Sequence, residues 1–380
     1  MGKILVVGGG MAGWMTVLYL NKFFPQYKTT IIESKKIKTI GVGEGTTPNF
    51  ITFLNSVGID PNDFESKVNS SKKIGINFKN FNKINTNYLH DFDILGNVNS
   101  YALHFDSKQA LTYLKKYALT KNISHILGEF ENYNIDNYDL IFDCTGLNRT
   151  ILKQSWTDCS EHLPFNAAIP FTIGETKDKT RTISTATDKG WIWEIPLNQR
   201  TGCGYVYNSE YNTIEEIKVD IKKLYPKANI KNKISFNPGY NKDVWVGDVI
   251  SVGLSSGFFE PIEATSLMTT ILQLQGLPKN LNKNKREKYN KEINSINEQT
   301  MLFIRHHYEC DREDGLWGDL SLKFPIPKKL SLITKNKRLN VFSDEDLKKH
   351  IKPLKHMVFT FKQYEALNIN NFTRNINSLI

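Results

Sequence analysis

Lys73 lies in a stretch whose residue types could supply an amine to a reaction. Apolar residues alternate at positions 74, 76 and 78, which predicts a strand over 69–78 with one apolar face. Lys73 falls on the opposite face, together with Gly75 and Asn77. An amine on a face that lines a cavity loses its proton more easily, as a nucleophilic or hydrogen-bonding amine must. The alternative is a solvated lysine at the end of a strand.

Glu263 is the carboxylate that could work with such an amine. It falls in the first turn of a helix predicted over about 262–275, directly after a glycine-rich turn. A lysine and a carboxylate that line one cavity shift each other's pKa values, which makes them a plausible site pair. A carboxylate in the first turn also complements the helix dipole, and this is the structural alternative.

The start of the chain has the spacing Gly-x-Gly-x-x-Gly between a predicted strand, 3–7, and a predicted helix, 11–24. In this motif the first glycine allows a tight turn, the second lets backbone approach a pyrophosphate, and the third lets helix and strand pack closely. A second strand ends in an acid whose carboxylate can accept hydrogen bonds from ribose hydroxyls. A glycine-rich turn without a ligand is the alternative. The expected dinucleotide contacts are Gly8, Gly10, Met11, Ala12, Gly13 and Glu33.

Three later segments indicate further contacts with a flavin. Loop 41–48 has three glycines around one acid, and many flavoproteins place such a segment along the flavin; an ordinary surface turn is the alternative. The predicted buried strand 138–146 ends in small residues, which leave room for a ligand at the carboxyl edge of a sheet. A Gly-Asp pair followed by a glycine-rich turn into a helix recurs in FAD enzymes. The expected contacts are Gly43, Glu44, Gly45, Thr46, Thr145, Gly146, Asp248 and Gly257.

Trp191 and Trp193 lie two residues apart within 165–208, where short alternating segments predict antiparallel strands. On one strand both indoles project from the same face and form a rigid wall. A pair of core tryptophans is the alternative. His104 precedes a helix that Asp106 or Ser107 could cap, so a structural role is favoured for it over cofactor binding.

The composition is that of a folded protein with one large or two ordinary domains. The chain has 380 residues, of which 40% are hydrophobic, and a formal net charge of +10. Its lysines are spread along the whole chain and are not interleaved with aromatic residues, which argues against nucleic-acid binding. The four cysteines lack metal-ligand spacing, so no metal is expected. We recognise no signal peptide, and no apolar run approaches the ~18 residues that span a bilayer, so a cytoplasmic protein without membrane contact is expected.

Together these residues resemble the flavin-dependent halogenases of the tryptophan-halogenase type. The resemblance rests on the glycine motif, on Gly-Glu-Gly-Thr at 43–46, on Lys73, on Trp-Ile-Trp-Glu-Ile-Pro at 191–196 and on Glu-Pro-Ile-Glu at 260–263. The Trp-x-Trp-x-Ile-Pro pattern is specific to that family, whereas the glycine motif is generic. The segments at 104–106, 307–308 and 312–314 also look like family segments. The resemblance covers about 1–320.

The resemblance implies an α/β fold. An FAD-binding, Rossmann-like module over 1–275 would contain an inserted antiparallel β-sheet at about 160–240. A C-terminal, mostly helical region over 276–380 would cover the substrate. Aromatic residues of that region are candidates for the substrate wall, although a core position is favoured for each: Phe303, Tyr308, Trp317, Phe359, Phe361 and Tyr364.

The resemblance also implies an FADH2-dependent halogenase. With O2, the reduced FAD would oxidise a halide ion (chloride, bromide or iodide) to hypohalous acid, while Trp191 and Trp193 keep the organic substrate away from the flavin. Lys73 matches the family's catalytic lysine and would hydrogen-bond the oxidised halogen or form a haloamine. Glu263 matches the catalytic glutamate and would polarise the halogenating species or take the arene proton.

One departure concerns the halide. The family usually follows the glutamate with Ser-Thr-Gly, whose backbone amides hold the ion, whereas this chain has Ala264-Thr265-Ser266. Thr265 and Ser266 are the expected halide-binding residues. Serine lacks the freedom of glycine at positive φ, so the halide preference and halide binding itself are open.

The expected substrate is a small, electron-rich aromatic such as an indole, pyrrole or phenol. FADH2 is expected from a separate flavin reductase, because the chain has no second nicotinamide-binding motif. The oligomeric state is open, with a homodimer as one alternative. Two other functions stay open: an FAD-dependent monooxygenase or oxidoreductase that uses NADPH directly, and a flavin-binding protein without catalysis.

Overall fold

The computed structural model describes residues 2–37, 44–81, 87–92, 101–153, 155–308 and 312–325. The cofactor contact expected at Gly43 lies outside the described residues. So do the candidate wall residues Phe359, Phe361 and Tyr364.

Within these residues the chain forms strands throughout its length. In chain order they are β1 (Gly2–Val7), β2 (Tyr27–Glu33), β3 (Glu44–Gly45), β4 (Ser70–Lys73), β5 (Gly75–Lys79), β6 (Asn87–Asp91), β7 (Ala102–Phe105), β8 (Ile123–Leu127), β9 (Leu140–Asp143), β10 (Trp156–Asp158), β11 (Ala167–Ile173), β12 (Arg181–Thr187), β13 (Gly190–Pro196), β14 (Thr201–Tyr207), β15 (Asn229–Ile230), β16 (Ile234–Ser235), β17 (Gly239–Asn241), β18 (Trp245–Val246), β19 (Val249–Ser251) and β20 (Gly257–Phe258).

The α-helices flank these strands. In chain order they are α1 (Met11–Phe23), α2 (Asn49–Ser56), α3 (Pro61–Lys67), α4 (Ser107–Leu119), α5 (Ile214–Leu224), α6 (Thr265–Gln275), α7 (Arg286–His306), α8 (Gly315–Gly318) and α9 (Leu320–Lys323). None of the helices in the described residues is long and apolar enough to cross a membrane.

The glycine motif follows the first strand of a six-stranded sheet with the order β18-β19-β9-β1-β2-β8. β1 pairs in parallel with β2 and β9, and β9 pairs in parallel with β19. Apolar side chains of β1 pack on one face against α1, α2, α4 and α6. Parallel strands buried on both faces read as continuous apolar runs, which is why 3–7 was recognisable as a strand. The prediction of a Rossmann-like α/β fold is confirmed.

The second large sheet has eight strands and is mostly antiparallel. Its order is β15-β11-β14-β13-β12-β5-β6, and β16 pairs with the edge of β11. One face packs against α5, and the other packs against residues of α7 to α9. Six of the strands fall within the expected inserted region, but β5 and β6 come from 75–91, and β5 pairs in parallel with β12. The local pattern could not show this pairing, because it joins segments about a hundred residues apart.

The strand expected over 69–78 is in fact two strands. β4 pairs with β7 in a small sheet that also contains β3, whereas β5 belongs to the eight-stranded sheet. The break falls at Ile74, whose N–H donates to the Thr180 carbonyl and whose carbonyl accepts from Phe92. Lys73 is the last residue of β4 and is fully buried, while Lys72 is exposed. The chain therefore changes sheets immediately after the candidate lysine.

Candidate active site

The glycine motif forms a cradle at the carboxyl edge of the parallel sheet. Gly8 has φ +117°, and a Cβ there would lie 2.2 Å from the Cys144 carbonyl oxygen. A Cβ at Gly13 would lie 1.9 Å from the Gly8 carbonyl, so α1 packs directly on the turn. At Gly10 a Cβ would meet no atom within 4 Å, and α1 begins there without a side-chain cap. The first amides of α1 therefore face open space, which fits a phosphate group.

Glu33 ends β2 beside this cradle. Its carboxylate accepts hydrogen bonds from Lys115 Nζ, at 3.0 Å, and from His125 Nε2, at 3.2 Å. A Cβ at Gly9 would lie 2.4 Å from Glu33 Cγ, so the acid lies against the motif. A carboxylate in this position can accept hydrogen bonds from ribose hydroxyls, as the sequence predicts.

The ends of β9 and β19 complete the same edge. The buried Asp143 carboxylate accepts from the backbone N–H of Thr145, at 3.0 Å, and from its hydroxyl, at 2.7 Å. The next residue, Gly146, faces space in which a Cβ would meet nothing within 4 Å. After β19, Gly253 comes so close to α1 that a Cβ would lie 2.5 Å from Ala12 Cβ. The open space at Gly146 fits the crevice that the sequence predicts at this edge, and Gly253 brings the turn after β19 against α1.

The expected cofactor contact at Asp248 is wrong. Asp248 lies in the turn between β18 and β19, and its carbonyl accepts from Ile141 N at the start of β9. Because β19 runs parallel to β9, this turn is at the amino edge of the sheet, opposite to the glycine motif. The Asp248 side chain is 58% exposed and pairs with Lys283 Nζ at 2.6 Å.

Gly257 is explained by packing within the protein. It lies in β20, opposite Tyr240 of β17, and a Cβ would lie 3.0 Å from Tyr240 Cβ and 3.4 Å from Asn297 Oδ1. The close approach of β17 therefore accounts for the glycine without a ligand.

Lys73 lies in a pocket of protein groups. Its Nζ donates to the Thr46 carbonyl at 3.0 Å and lies 5.2 Å from the centre of the Phe92 ring. A Cβ at Gly45 would lie 3.4 Å from Nζ, so the expected flavin segment 44–46 lies directly against the amine. Burial lowers the pKa of Lys73 to about 8, although the charge of Glu263 opposes this. The structure thus places a readily deprotonated amine next to the loop.

Two further groups belong to the neighbouring strands β3 and β7. Burial raises the pKa of the Glu44 carboxyl to about 7. The buried His104 bonds through Nε2 to the Thr182 hydroxyl at 2.8 Å, and burial and then the charge of Lys73 hold the pKa of His104 well below its ordinary value. A neutral imidazole buttressing β4 and β7 agrees with the structural role favoured for His104. Asp106 caps α4 by accepting from the backbone of Lys108 and Gln109.

Glu263 precedes α6, which begins at Thr265 and so is shorter than expected. The carboxylate is 1% exposed. His90 Nδ1 lies 3.2 Å from Oε2, and His307 Nε2 lies 2.8 Å from Oε1. Burial alone would raise the pKa of Glu263, but the two histidines outweigh burial and lower it to about 2. Glu263 is therefore a buried carboxylate that stays ionised.

His90 and Phe92 connect the two candidate catalytic residues. They lie two residues apart at the end of β6, with ring centres 5.6 Å apart. Phe92 faces the amine of Lys73, and His90 contacts the carboxylate of Glu263. The four side chains form one buried row, Lys73–Phe92–His90–Glu263. Neither His90 nor Phe92 was predicted from the sequence, although His and Phe alternate before an acid at 90–93.

Trp191 and Trp193 project from the same face of β13, as expected, with ring centres 6.1 Å apart. Both are buried in the cluster between the eight-stranded sheet and the helices that follow α6. Trp191 Nε1 donates to Glu260 Oε2 at 3.3 Å, and the Tyr308 hydroxyl donates to the same oxygen. The indoles therefore form a wall that is fixed by Glu260, which lies three residues before Glu263 in the sequence.

The backbone around the expected halide residues differs from the expectation. Ser266 lies within the first turn of α6, so its position does not require positive φ. The left-handed residue is Ala264, with φ 56° and ψ 34°. Thr265 is buried at the start of the helix and Ser266 is partly exposed. The Ser-for-Gly departure thus imposes no backbone strain here.

The wall residues expected in the described part of the C-terminal region are core residues. Phe303, Tyr308 and Trp317 are each at most 3% exposed. Phe303 packs on His307, with ring centres 4.7 Å apart, and Tyr308 packs on Trp317 at 6.0 Å. Phe303 therefore packs on a histidine that contacts Glu263, and Tyr308 bonds to Glu260. Across the described residues no group of three or more His, Cys, Asp or Glu side chains could hold a metal ion.

Comparison with known proteins gives the same family from independent information. The family model described as tryptophan halogenase matches residues 3–99 and 95–370. The chain is 27% identical to tryptophan 7-halogenase RebH of Lentzea aerocolonigenes, over 90% of this chain and 84% of that protein. It is 25% identical to tryptophan 6-halogenase ThaL of Streptomyces albogriseolus, over 80% of this chain and 76% of that protein.

A solved structure has the same fold. Xcc4156, a flavin-dependent halogenase from Xanthomonas campestris, superimposes with a TM-score of 0.80 at 23% identity, covering 100% of this chain and 95% of the other. The family match spans nearly the whole chain, and it includes every segment that forms the glycine cradle and the buried row from Lys73 to Glu263. This chain belongs to the tryptophan halogenase family.

Proposed function

We propose that this protein is an FADH2-dependent halogenase that oxidises a halide with O2 and transfers it through Lys73 to an electron-rich aromatic. The observation that supports this most is the buried row that links Lys73 to Glu263 through Phe92 and His90. An amine whose pKa is lowered to about 8 and a carboxylate whose pKa is lowered to about 2 are the two groups that this chemistry needs.

The residues at the carboxyl edge of the parallel sheet fit FAD. The open space at Gly10 and the uncapped start of α1 suit the pyrophosphate, and Glu33 suits a ribose. The open space at Gly146 and the strand Glu44–Gly45 extend the crevice toward Lys73. When bound and reduced, FAD supplies with O2 the oxidising equivalents that convert a halide ion to hypohalous acid.

Lys73 receives the oxidised halogen. With a pKa of about 8, about a tenth of the amine is neutral at pH 7. A neutral amine can form an N–halogen bond with hypohalous acid, and the displaced hydroxide and the amine proton leave as water. In its ammonium form Lys73 instead donates a hydrogen bond to hypohalous acid. In both forms the amine holds the halogen at the Lys73 end of the buried row that leads to Glu263.

Glu263 accepts the proton that the arene loses. The arene carbon attacks the electrophilic halogen, the carbon–halogen bond forms, and the proton on that carbon passes to a Glu263 oxygen while the C–H electron pair restores aromaticity. Because the carboxylate is ionised over the whole neutral range, it is ready as a base without prior deprotonation.

The indole wall, the halide site, the substrate and the source of FADH2 complete the proposal. Trp191 and Trp193 separate the arene from the flavin, since both rings are fixed in the wall beside Glu260. The start of α6 at Thr265 and Ser266 binds the halide ion through backbone amides. The substrate is an indole, pyrrole or phenol, and the names of the tryptophan halogenase relatives put indoles first. A separate flavin reductase supplies FADH2.

The test is a bromination assay. Protein, FAD, a flavin reductase, NADH, bromide and a panel of indoles, pyrroles and phenols are incubated in air, and products are read by the paired bromine isotope pattern in mass spectra. We expect a brominated product that depends on the reductase. Oxygenated product without bromine, formed with NADPH and no reductase, would establish the monooxygenase alternative instead.

Lys73→Met and Lys72→Met form a matched pair. Lys72 is the exposed neighbour, whose Nζ lies 4.6 Å from the centre of the Tyr101 ring. We expect at least about 100-fold lower kcat for Lys73→Met and parent-like kcat for Lys72→Met. Bromination by Lys73→Met at the parent rate would show that the amine has no part in halogen transfer.

A further inference from the structure

Two histidines that the sequence did not assign hold the Glu263 carboxylate between them. His307 Nε2 lies 2.8 Å from Oε1, and His90 Nδ1 lies 3.2 Å from Oε2 and 3.3 Å from Oε1. All three side chains are at most 3% exposed. The two imidazoles come from different elements: His90 from β6 of the eight-stranded sheet, and His307 from the residue that follows α7.

The hydrogen bond made by His307 Nδ1 determines how many protons His307 and Glu263 share. His307 Nδ1 lies 2.9 Å from the carbonyl oxygen of Phe303. A carbonyl oxygen only accepts hydrogen bonds, so Nδ1 carries a hydrogen. The contact between Nε2 and Oε1 therefore needs one more proton, which is either on His307, as an imidazolium, or on Glu263, as a neutral acid.

The surroundings favour the proton on His307. Within the part of the chain that the structure describes, the titratable groups that face Glu263 include His90 on β6, His307 after α7, and Lys73 on β4, whose pKa the charge of Glu263 raises. The two histidines outweigh burial and lower the pKa of Glu263 to about 2. The rings of Phe78 and Phe303 pack against His307, with ring centres 5.3 Å and 4.7 Å away, and help to fix its position. A carboxylate and an imidazolium are thus paired at this contact.

We propose that His307, as an imidazolium, and His90 are positioning residues that keep Glu263 ionised and aim it at the substrate. His307 is anchored by the Phe303 carbonyl, so its Nε2–H has one direction, and Glu263 is fixed by it. His90 holds the second oxygen from the side of Phe92 and Lys73. The catalytic consequence rests on the proposed function, but the protonation state of His307 does not.

The first test reads that protonation state without cofactor or substrate. Protein labelled with ¹⁵N-histidine contains eight histidines, and loss of one resonance set in His307→Gln identifies the residue. We expect both ring nitrogens of His307 to be protonated at pH 7 in the parent. In Glu263→Gln we expect Nε2 to lose its proton at the same pH, because the carboxylate is gone. A singly protonated His307 in the parent, or an unchanged state in Glu263→Gln, overturns the proposal.

The second test is the pH dependence of halogenation. His307→Gln keeps an amide donor but removes the positive charge, so the pKa of Glu263 should rise toward that of a buried acid. Relative to the parent at the same pH, we expect kcat of His307→Gln to be about tenfold lower at pH 6 and close to the parent at pH 8, with KM for the arene changed less than about twofold. Recovery at pH 8 separates an electrostatic role from a purely structural one.

His162→Gln is the matched control. His162 also bonds to a backbone carbonyl, that of Pro325, at 2.8 Å, but lies outside the catalytic row. It should have the pH profile of the parent. If His307→Gln and the parent have the same profile, the proposal is wrong. If the parent makes no halogenated product at all, the proposed function fails while the NMR result still decides the state of His307. If His307→Gln does not fold, the pH dependence of kcat is measured for His90→Gln instead. A kcat that falls toward pH 6 no more than that of the parent then counts against the proposal.

Discussion

Replacing Glu260 by glutamine should remove a pH dependence from the stability of the whole protein. The Glu260 carboxyl is 1% exposed, and its Oε2 accepts hydrogen bonds from Trp191 Nε1 and the Tyr308 hydroxyl. Burial raises its pKa to about 8, and these hydrogen bonds only partly oppose the rise. In the unfolded chain the same group titrates near its ordinary value of 4.5. Between these two values the folded protein binds one more proton than the unfolded chain.

The sign and size follow from proton linkage. Because the folded state binds the extra proton, its stability is highest below about pH 4.5 and falls as the pH rises toward 8. One pKa unit corresponds to about 1.4 kcal/mol, so this group costs the parent about 3 to 4 kcal/mol between pH 5 and pH 8. Glutamine imitates the neutral acid and has no proton to lose. The free energy of unfolding of Glu260→Gln, relative to the parent, should therefore rise by about 3 to 4 kcal/mol over that range.

The measurement is urea unfolding at pH 5, 6, 7 and 8, followed by the fluorescence of the six tryptophans. The exposed Glu161 provides the control, since Glu161→Gln should differ from the parent by a constant amount at all four pH values. A stability difference between Glu260→Gln and the parent that does not change with pH would refute the reasoning. It would mean that Glu260 is ionised in the folded protein and that its charge is compensated.

The other predictions concern the wall, the cofactor edge and the end of β9. Gly204→Ala should lower the free energy of unfolding by about 2 kcal/mol, because the new Cβ would lie 2.1 Å from the Trp193 ring. It should also lower the yield of brominated product per FADH2 consumed. An unchanged unfolding curve would contradict the predicted clash. Asp248→Asn should leave the FAD dissociation constant within about twofold of the parent, whereas Glu33→Gln should raise it about tenfold in a fluorescence titration. A tenfold rise in both variants would place both acids at the cofactor, and no rise in Glu33→Gln would contradict the role of Glu33. Asp143→Asn removes the charge from a buried acceptor of several hydrogen bonds and should lower the free energy of unfolding by about 2 to 4 kcal/mol, read as a fall in melting temperature; a parent-like melting temperature would contradict the structure.

Local features of the fold could be read from the sequence. The first strand, the glycine turn and α1 are contiguous, and their lengths and periodicity follow from backbone geometry alone. Alternation along a strand also places Lys72 and Lys73 on opposite faces, but the sequence left open whether Lys73 is solvated, and only the structure shows that it is the buried one of the two. The shared face of Trp191 and Trp193 follows from the same period.

The predictions from the sequence were wrong where a local pattern is compatible with two positions in a sheet. A Gly-Asp pair next to a short strand has the same local pattern at either end of that strand. Only the parallel pairing of β19 with β9 shows that Asp248 is at the amino edge, away from the glycine cradle. The break at Ile74 was hidden for a similar reason, since β4 and β5 have one continuous alternation but pair with different partners.

The sequence by itself determined the dinucleotide motif, the candidate lysine and glutamate, and the family that their surroundings resemble. Only the tertiary structure decided what holds the glutamate, because His90 is 173 residues before Glu263 and His307 is 44 residues after it. Contacts over such separations depend on how whole sheets and helices pack, and no local period encodes them. The charge state of a buried acid is set by those contacts, so it becomes readable only once the chain is folded.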